Sequence, residues 1–395
     1  MVLPKTEIQL SIASRLELIK AHGRQRLRRV LEGPQGATIK LNGREVSNFC
    51  SNDYLGFANH PVLKEAVKRG IDKYGVGSGA SQLVCGYSVA HSMLEEKIAT
   101  FTGRQRAILF STGYMANLAV VKTLLEGNGI VLADRLNHAS LLDAALLAQT
   151  RIKRFRHADS ASLQSMLQGA DGKQKLVMTD TVFSMDGDIA PLTEYIPVCL
   201  QAQALLMVDD AHGFGVFGKQ GAGTLEEYGL DSTQVPLLMA TFGKALGTFG
   251  SFIAGDSEVL ELFLQCARTL IYTTAPPPAL AYATATALDL LIQEQWCRDK
   301  LRHNIERFTR GAKQLALPVK HSVTPIQALM LGGEDLAMDI SNRLLQKGIY
   351  ISAIRPPTVP EGTSRLRITL TAVHTEDQID QLLNALDELL ARCNA

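Results

Sequence analysis

The chain has 395 residues, too many for one ordinary hydrophobic core, so we expect two domains or one large domain with a smaller companion. Apolar residues make up 46% and charged residues 20%, which is typical of globular proteins. The 40 Lys and Arg residues balance the 39 Asp and Glu residues, and the net charge is +1. That balance gives no global electrostatic reason to bind nucleic acid or an anionic membrane.

The cysteines and the uncharged stretches narrow the class further. The six cysteines form no CxxC pair, which argues against a disulfide framework and against a thiolate zinc site, so no metal is expected. Charges such as Glu7 and Arg15 interrupt the opening segment, which therefore does not read as a signal peptide. Residues 269–288 carry no charge, but their three consecutive prolines exclude an uninterrupted membrane span. A cytoplasmic enzyme is the expectation.

In chain order, residues 11–31 predict an amphipathic helix, and residues 39–49 predict a strand pair with an Asn-Gly turn between its arms. From there to about residue 255, short apolar runs alternate with helical patterns, of which 89–100 and 115–125 are the clearest. We interpret as buried strands residues 107–110, 130–133, 176–179, 205–208, 237–241 and 251–254. This alternation predicts an α/β fold whose large domain has a mainly parallel sheet covered by helices on both faces.

The C-terminal part has a different pattern. After the prolines at 276–278, a helical pattern runs to about residue 315. The remainder mixes strands, at 349–354 and 365–371, with helices, at 336–347 and 376–392. A smaller C-terminal α+β domain is therefore expected. The predicted parts are an N-terminal helix and strand segment at 1–50, a large domain at 51–285 and a small domain at 286–395.

Polar side chains follow the predicted strands where ligands of open α/β sheets bind, at the carboxyl ends. Gly113 and Tyr114 follow Ser111 and Thr112 and open a helix whose free N–H groups suit a phosphate, although an ordinary N-cap by Ser or Thr is the commoner use of such residues. The ends of the following strands supply His138, Ser184, Asp209, His212, Thr241 and Lys244. A lone loop His or Lys is usually only hydrogen-bonded or solvated. Such a set at one sheet edge is what a cofactor pocket requires.

This set matches the needs of pyridoxal 5′-phosphate, which would bind in the large domain. The cofactor requires a Lys for a Schiff base, an acid beside its pyridine nitrogen and an anchor for its phosphate. It also gains from a flat group stacked on its ring. A Lys held beside a cationic ring in a dry pocket loses its proton more readily and becomes a nucleophile and base.

A competing motif lies at residues 213–218, which match the dinucleotide-binding pattern GxGxxG. Polar residues separate the preceding strand from the first glycine, and more glycines follow where the pattern requires a helix. We interpret this segment as a loop. A nicotinamide oxidoreductase is therefore a distant alternative.

Taken together, the motifs resemble those of the α-oxoamine synthases, pyridoxal-phosphate enzymes of the aspartate-aminotransferase fold type. The matching segments are 51–56 (SNDYLG), 77–79 (GSG), 86–91 (GYSVAH), 134–140 (DRLNHAS), 183–188 (FSMDGD), 208–213 (VDDAHG) and 241–244 (TFGK). The resemblance covers nearly the whole chain, and several motifs in order are more specific than any one of them. It implies an enzyme that condenses an amino acid with an acyl thioester and releases carbon dioxide.

The resemblance also implies roles for the catalytic residues. Lys244 would join the cofactor covalently and later move protons at the substrate α-carbon. Asp209 would pair with the pyridinium nitrogen, and His138 would stack on the ring. His212 would bond the phenolic oxygen and assist at the reacting carbonyl, with Ser184 close to the same oxygen.

The remaining cofactor contacts follow from the same resemblance. Gly113 and Tyr114, through their backbone, and Thr241, through its hydroxyl, would hold the phosphate. Sites of this family lie at a homodimer interface. The residues implied to reach the neighbouring subunit's cofactor or substrate are Ser78, Thr273 and Thr274.

Residues 353–362 (AIRPPTVPEG) resemble the members of the family that use L-alanine and a pimeloyl thioester. By that resemblance, Arg355 would hold the amino-acid carboxylate and Thr358 would line the substrate site. Arg26 would reach the acyl substrate, although a solvated helix face explains the basic cluster 24–29 equally.

Three residues of one loop depart from the expected pattern and leave the acyl selectivity open, namely Ala80, Gln82 and Cys85. Glycine acetyltransferase, 5-aminolevulinate synthase and serine palmitoyltransferase share the chemistry with other substrates, and a non-catalytic cofactor-binding relative is a further alternative. The acyl group would arrive on coenzyme A or on an acyl carrier protein.

Overall fold

A computed structural model describes residues 6–21, 23–125, 129–170 and 174–391. Helix α1 (Glu7–Ala21) is followed by two antiparallel strands, β1 (Thr38–Leu41) and β2 (Arg44–Asn48). Between them, Asn42 and Gly43 have φ angles of 49° and 78°, the left-handed conformation that a two-residue hairpin turn requires. The predicted strand pair and its turn are confirmed.

The N-terminal helix differs from its prediction. It ends at Ala21, well before residue 31, because Gly23 adopts a left-handed φ of 62° and the Arg24 amide turns back to the Ile19 carbonyl at 2.9 Å. Those contacts are a glycine-based helix C-cap. The helix is also not amphipathic in its packing, since several apolar side chains are exposed, including Ile8, Leu10, Ile12 and Leu16.

The large sheet has seven strands in the order β3-β9-β8-β7-β6-β4-β5. Their bounds are β3 (Arg106–Phe110), β4 (Ile130–Asp134), β5 (Arg151–Phe155), β6 (Lys175–Asp180), β7 (Leu205–Asp209), β8 (Leu237–Thr241) and β9 (Ser251–Gly255). Only β9 runs antiparallel to its neighbours. The predicted mainly parallel sheet is confirmed. Strand β5 was not predicted, because its basic residues at the sheet edge hide the apolar run.

Helices cover both faces of this sheet. They are α2 (Pro61–Tyr74), α3 (Val89–Phe101), α4 (Gly113–Leu124), α5 (Ala139–Leu147), α6 (Ser160–Gln168), α7 (Leu192–Gln201), α8 (Thr224–Glu227), α9 (Ser257–Cys266) and α10 (Arg268–Ile271). Alternate residues of the strands enter two hydrophobic cores, with Leu109 and Val177 in one and Ile108 and Val131 in the other.

In the described residues of the C-terminal part, up to residue 391, there are four helices and four strands. The helices are α11 (Pro278–Gln293), α12 (Gln295–Gln314), α13 (Glu334–Gln346) and α14 (Glu376–Ala391). The strands are β10 (Ile326–Gly332), β11 (Ile349–Tyr350), β12 (Ser352–Ile354) and β13 (Ser364–Thr369). Strands β10, β13 and β12 form an antiparallel sheet, whereas β11 joins β2.

Two predictions for this part were wrong in detail. The helical pattern up to residue 315 is two helices, because Glu294 leaves the helical conformation with φ −108° and ψ 53°. The strand predicted at 349–354 divides between two sheets. Arg392, to which the last helix was extended, and Cys393 lie outside the described residues.

The predicted boundaries at residues 50 and 285 stay predictions. The pairing of β11 with β2 ties the N-terminal strands to the C-terminal part of the chain. Within the described ranges, no helix is long and apolar enough to cross a membrane.

Candidate active site

The carboxyl ends of the parallel strands bring the predicted residues to one edge of the sheet. Asp180 ends β6 and Asp209 ends β7, and the two residues are partners across the ladder. Lys244 follows β8, and its amine interacts electrostatically with both carboxylates. His212 follows β7 and interacts electrostatically with Lys244 and His138. Convergence of these strand ends is therefore a property of the fold.

Lys244 lies in a setting that weakens its hold on a proton. Burial lowers the pKa of its amine, the carboxylates of Asp209 and Asp180 oppose that change, and the charge of Arg367 adds to it. In the part of the chain that the structure describes, no salt bridge or hydrogen bond holds this amine. An amine of this kind is available as a nucleophile and a base.

Asp209 is buried and fixed in orientation. Its Oδ2 accepts a hydrogen bond from Asn117 Nδ2 at 2.8 Å, and its Oδ1 accepts one from the Ala211 amide at 3.0 Å. The same Asn117 amide donates to Ser140 Oγ at 2.9 Å. Asn117, on α4, was not recognised in the sequence, since an Asn inside a helical pattern carries no local signal of a site.

His138 begins α5, with its ring accessible in the crevice. Its Nδ1 lies 2.7 Å from Ser140 Oγ, and its own amide donates to Asp180 Oδ2 at 2.7 Å. Burial, and then the charge of Asp209, raise the pKa of Asp180 well above its ordinary value. The ring is thus anchored through Nδ1 while the residue is exposed, as a stacking role requires. That role stays a prediction.

His212 is buried, and its Nδ1 lies 2.6 Å from the Tyr54 hydroxyl. Burial lowers the pKa of His212 well below its ordinary value, and the charges of Lys244, Arg367 and His138 lower it further. The imidazole is therefore neutral near pH 7 and keeps one N–H. Tyr54 belongs to the segment 51–56, which the sequence singled out without assigning a role to this residue.

Thr241 and the start of α4 form a small polar cradle. The Thr241 hydroxyl is buried and has no hydrogen-bond partner among the described residues. A Cβ atom on Gly113 would lie 2.7 Å from Thr241 Cγ2, so only glycine permits this close approach. Thr112 caps the helix, because its Oγ1 accepts a hydrogen bond from the Met115 amide at 3.2 Å. The amides of Gly113 and Tyr114 lie between these two residues in the first turn. An unpartnered hydroxyl beside free helix amides suits an anion such as a phosphate.

Arg367, on β13, is the arginine beside Lys244, and it was missed in the sequence. Its Nε donates to the Ser184 carbonyl at 2.5 Å, and both terminal nitrogens donate to Asn52 Oδ1 at 3.1 Å. It is only 8% exposed. The available signal was a pair of arginines alternating with apolar residues in a strand, since such arginines are rarely buried without a function or a partner.

Ser78 and Thr274 lie in a second group, apart from Lys244. The Ser78 hydroxyl donates to the Pro276 carbonyl at 2.6 Å, and Thr274 bridges to Ser81. Thr273 belongs to the same segment. No hydrogen bond found within the described ranges connects these residues to the Lys244 group. Their predicted reach into a neighbouring subunit stays a prediction.

Arg26, Arg355 and Thr358 lie together in a third place, a cavity of about 390 Å³ beside the segment 24–29. The Arg355 guanidinium donates to the carbonyl oxygens of Gly23 and Gln25, the latter at 3.0 Å. It is therefore committed to the N-terminal segment in this structure. The predicted substrate roles of these three residues are not tested by this placement.

The nicotinamide alternative finds no support in the fold. Residues 213–218 form turns after β7, and the next helix is α8, of only four residues. The interpretation of this segment as a loop is confirmed. Among the described residues, no group of His, Cys, Asp and Glu is arranged to hold a metal ion.

Comparisons with known proteins identify the family of this chain. The family model for aminotransferases of class I and II matches residues 44–386. A serine palmitoyltransferase from Sphingomonas wittichii superposes with a TM-score of 0.91 and 30% identity, covering 97% of each chain. An 8-amino-7-oxononanoate synthase from Francisella tularensis superposes with a TM-score of 0.78 and 31% identity, covering 89% of this chain and 99% of that one. The curated 8-amino-7-oxononanoate synthase from Methylococcus capsulatus is 54% identical over 374 residues, 95% of this chain and 97% of the relative.

Fold and site thus define a pyridoxal-phosphate-dependent enzyme with the architecture of the class I and II aminotransferases. Its α/β fold, its cofactor and its enzyme class are those that the sequence motifs predicted. Within that class, the chain belongs to the 8-amino-7-oxononanoate synthase family.

Proposed function

We propose that this chain condenses L-alanine with a pimeloyl thioester to give 8-amino-7-oxononanoate, carbon dioxide and free thiol, a step of biotin biosynthesis. The observation that carries the proposal is the meeting of Lys244, Asp209 and His212 at one sheet edge, in a chain 54% identical to synthases of that name. Identity to the serine palmitoyltransferase is lower, at 30%. L-alanine is therefore preferred to L-serine as the amino acid.

The residues present fit pyridoxal phosphate. Asp209 would meet the ring nitrogen, His138 a ring face, and the Thr241 hydroxyl with the Gly113 and Tyr114 amides the phosphate. Thr241 supplies the buried, unpartnered oxygen that such a ligand would satisfy. When bound, the cofactor supplies an aldehyde that reacts with amines and an electron-poor ring that stabilises negative charge at the substrate α-carbon.

Lys244, Asp209 and His212 have different roles in the proposed reaction. Lys244, as a neutral amine, accepts the α-proton of alanine and returns a proton after carbon dioxide has left. The Asp209 carboxylate would hold the ring nitrogen of the bound cofactor in its protonated form. The new carbon–carbon bond joins the alanine α-carbon to the thioester carbonyl, and the thiol leaves. The N–H of neutral His212 donates to the oxygen that becomes negative during this attack.

Two arginines are candidates to hold the alanine carboxylate. Arg355 has this role by resemblance, but its guanidinium lies in the cavity beside the N-terminal segment, where it is bonded to the carbonyls of Gly23 and Gln25. Arg367 lies near both Lys244 and His212. We infer that Arg367 holds the carboxylate, and that the cavity containing Arg26, Arg355 and Thr358 serves the acyl chain.

A homodimer with the site at its interface completes the proposal. Val76, Val84 and Tyr272 are exposed apolar residues close in sequence to Ser78 and Thr273. A partner subunit covering them would place those two side chains at its site. Delivery of the acyl group on coenzyme A or on a carrier protein and a cytoplasmic location belong to the proposal as well.

The test is thiol release by the purified, cofactor-loaded protein, with pimeloyl-coenzyme A and the pimeloyl carrier protein as alternative donors. L-alanine, glycine and L-serine are compared in parallel, and the product is identified by mass. Release with L-alanine alone supports the proposal. Release with glycine or L-serine instead contradicts the assigned amino acid, and no release with either donor contradicts the reaction.

A further inference from the structure

His157 lies between two carboxylates at the same edge of the sheet as Lys244. It follows β5, its Nδ1 is 3.0 Å from Asp134 Oδ1, and its Nε2 is 2.6 Å from Asp188 Oδ2. Carboxylate oxygens only accept hydrogen bonds, so both ring nitrogens must donate. That arrangement requires the doubly protonated, positively charged ring.

The first carboxylate controls the turn that carries His138. Asp134 ends β4 and is fully buried, and its Oδ1 also accepts the Leu136 amide at 2.8 Å. Its Oδ2 accepts the Ala158 amide at 2.9 Å, beside His157 itself. The turn that leads to His138 is therefore fixed to the segment that contains His157.

The second carboxylate closes the loop that carries Ser184. The Asp188 carbonyl accepts the Phe183 amide at 2.9 Å, so the two ends of this short loop are joined. The His157 ring also meets the Phe183 ring edge to face, with centroids 4.4 Å apart and planes at 89°. His157 thus contacts this loop through an ion pair and through its ring.

The charges around His157 balance only when the ring is positive. Lys320 lies 3.7 Å from oxygens of both Asp186 and Asp188, and Arg365 pairs with Asp186. Three acids, Asp134, Asp186 and Asp188, then face three bases, Lys320, Arg365 and His157. Arg365 lies two residues before Arg367 on β13.

The protonation of His157 agrees with this geometry. Burial by itself lowers the pKa of His157, but the hydrogen bonds and charges of Asp134 and Asp188 outweigh it and raise the pKa to about 9. The other titratable groups that interact electrostatically with Asp134 or Asp188 include Lys320, Asp180 and Tyr195.

We propose that His157 is a positioning residue of the active site, which holds the His138 turn and the Ser184 loop in register by donating to Asp134 and Asp188. The proposal rests on the proposed function only in assigning cofactor contacts to His138 and Ser184. Because His157 touches both loops and neither reacting group, its effect is on the orientation of the cofactor.

The test compares His157→Gln, which removes the charge and one donor, with His303→Gln, a change of an exposed histidine that pairs with Glu376. The readouts are the induced circular dichroism of the bound cofactor, scaled to cofactor content, and deuterium uptake by residues 134–140 and 182–189. We expect an altered dichroism and faster uptake in His157→Gln alone. We also expect kcat per bound cofactor to fall about tenfold, with the KM for pimeloyl-coenzyme A within about twofold.

A lower thermal stability with unchanged dichroism, loop exchange and kcat would show a structural role only and would overturn the proposal. If His157→Gln does not fold, Asp188→Asn removes the same ion pair at constant size and must show the same changes. The dichroism and exchange measurements need no acyl substrate. Failure of thiol release would therefore contradict the proposed function without affecting this test.

Discussion

The predicted site residues lie in three regions of this molecule, and two of those regions differ in how their residues are fixed. At the carboxyl ends of β4 to β8, the buried Asp180, Asp209 and His212 are held by hydrogen bonds of 2.6–3.0 Å. In the cavity beside residues 24–29, Arg355 is bonded to main-chain carbonyls. Parallel strands bring their carboxyl ends to one edge whatever the loop sequences are. The cavity instead depends on where an N-terminal segment packs, so the strand order of the sheet does not bring its residues together.

The largest expected effect comes from Lys244→Ala, which removes the amine that joins the cofactor and moves protons. Turnover should fall to less than a few per cent of wild type, since no other described lysine shares its buried position between Asp209 and Asp180. Lys219→Ala, in the glycine-rich loop after β7, is the matched control. Substantial turnover by Lys244→Ala would contradict the assignment of the strand-end region as the catalytic one.

Asp209→Asn should have the next largest effect, because it keeps the size of the side chain and removes its negative charge. Without that charge the ring nitrogen loses its proton, and kcat should fall by about 10²-fold or more while cofactor still binds. Steady-state kinetics with measured cofactor content provides the test. Asp256→Asn, at the start of α9, should leave kcat unchanged, and equal kinetics for both variants would contradict the assigned role.

His157→Gln sharpens the comparison by measuring how firmly the strand-end region is fixed. The folded-state pKa of about 9 lies above the ordinary value of 6.5, so the charged ring stabilises the fold fully below about pH 6.5 and loses this contribution as pH rises through 9. The free energy of unfolding should differ from wild type by about 3 kcal/mol near pH 6, and by much less above pH 9. Urea unfolding across this range tests it, and a difference independent of pH would contradict the charged ring.

Arg367→Lys and Arg355→Lys compare the two regions directly. Lys keeps the charge but not the paired N–H groups that bind a carboxylate, so Arg367→Lys should lower kcat/KM for L-alanine roughly 10- to 100-fold. Arg355→Lys should change kcat/KM for the acyl donor more than that for L-alanine. The reverse pattern would restore the role that the sequence assigned to Arg355.

Thr241→Val should have the smallest effect. It removes one hydroxyl of the phosphate cradle at nearly constant volume, which should weaken cofactor binding by about 1.5 kcal/mol, or roughly tenfold. Thr286→Val, whose hydroxyl bonds only within α11, is the control. Equilibrium dialysis of the cofactor measures both. An unchanged affinity of Thr241→Val for the cofactor would show that this hydroxyl does not bind the phosphate.

The sequence predicted the large sheet and the residues at its strand ends because apolar runs and the polar residues that follow them are local patterns. Residues that reach the site from elsewhere had no such pattern. Tyr54 arrives from an N-terminal loop, Asn117 from inside a helix and Arg367 from a C-terminal strand. Strand β5, which positions His157, was missed because its basic edge residues resemble a loop.

The end of α1 shows the same limit in another form. The periodic pattern of the sequence continues past Ala21, but the helix ends there because Gly23 is left-handed. The next residue, Arg24, forms a salt bridge with Glu334 at 2.9 Å. Such a long-range contact is decided by tertiary packing and leaves no periodic signal.

The most direct test of the strand-end site is to find which lysine carries the cofactor. The loaded protein is reduced with borohydride and digested, and the modified peptide is identified by mass spectrometry. We predict that the modification lies on Lys244 alone, and that Lys244→Ala carries none. A modification on another lysine, or equal labelling of several, would contradict the assignment of this sheet edge as the active site.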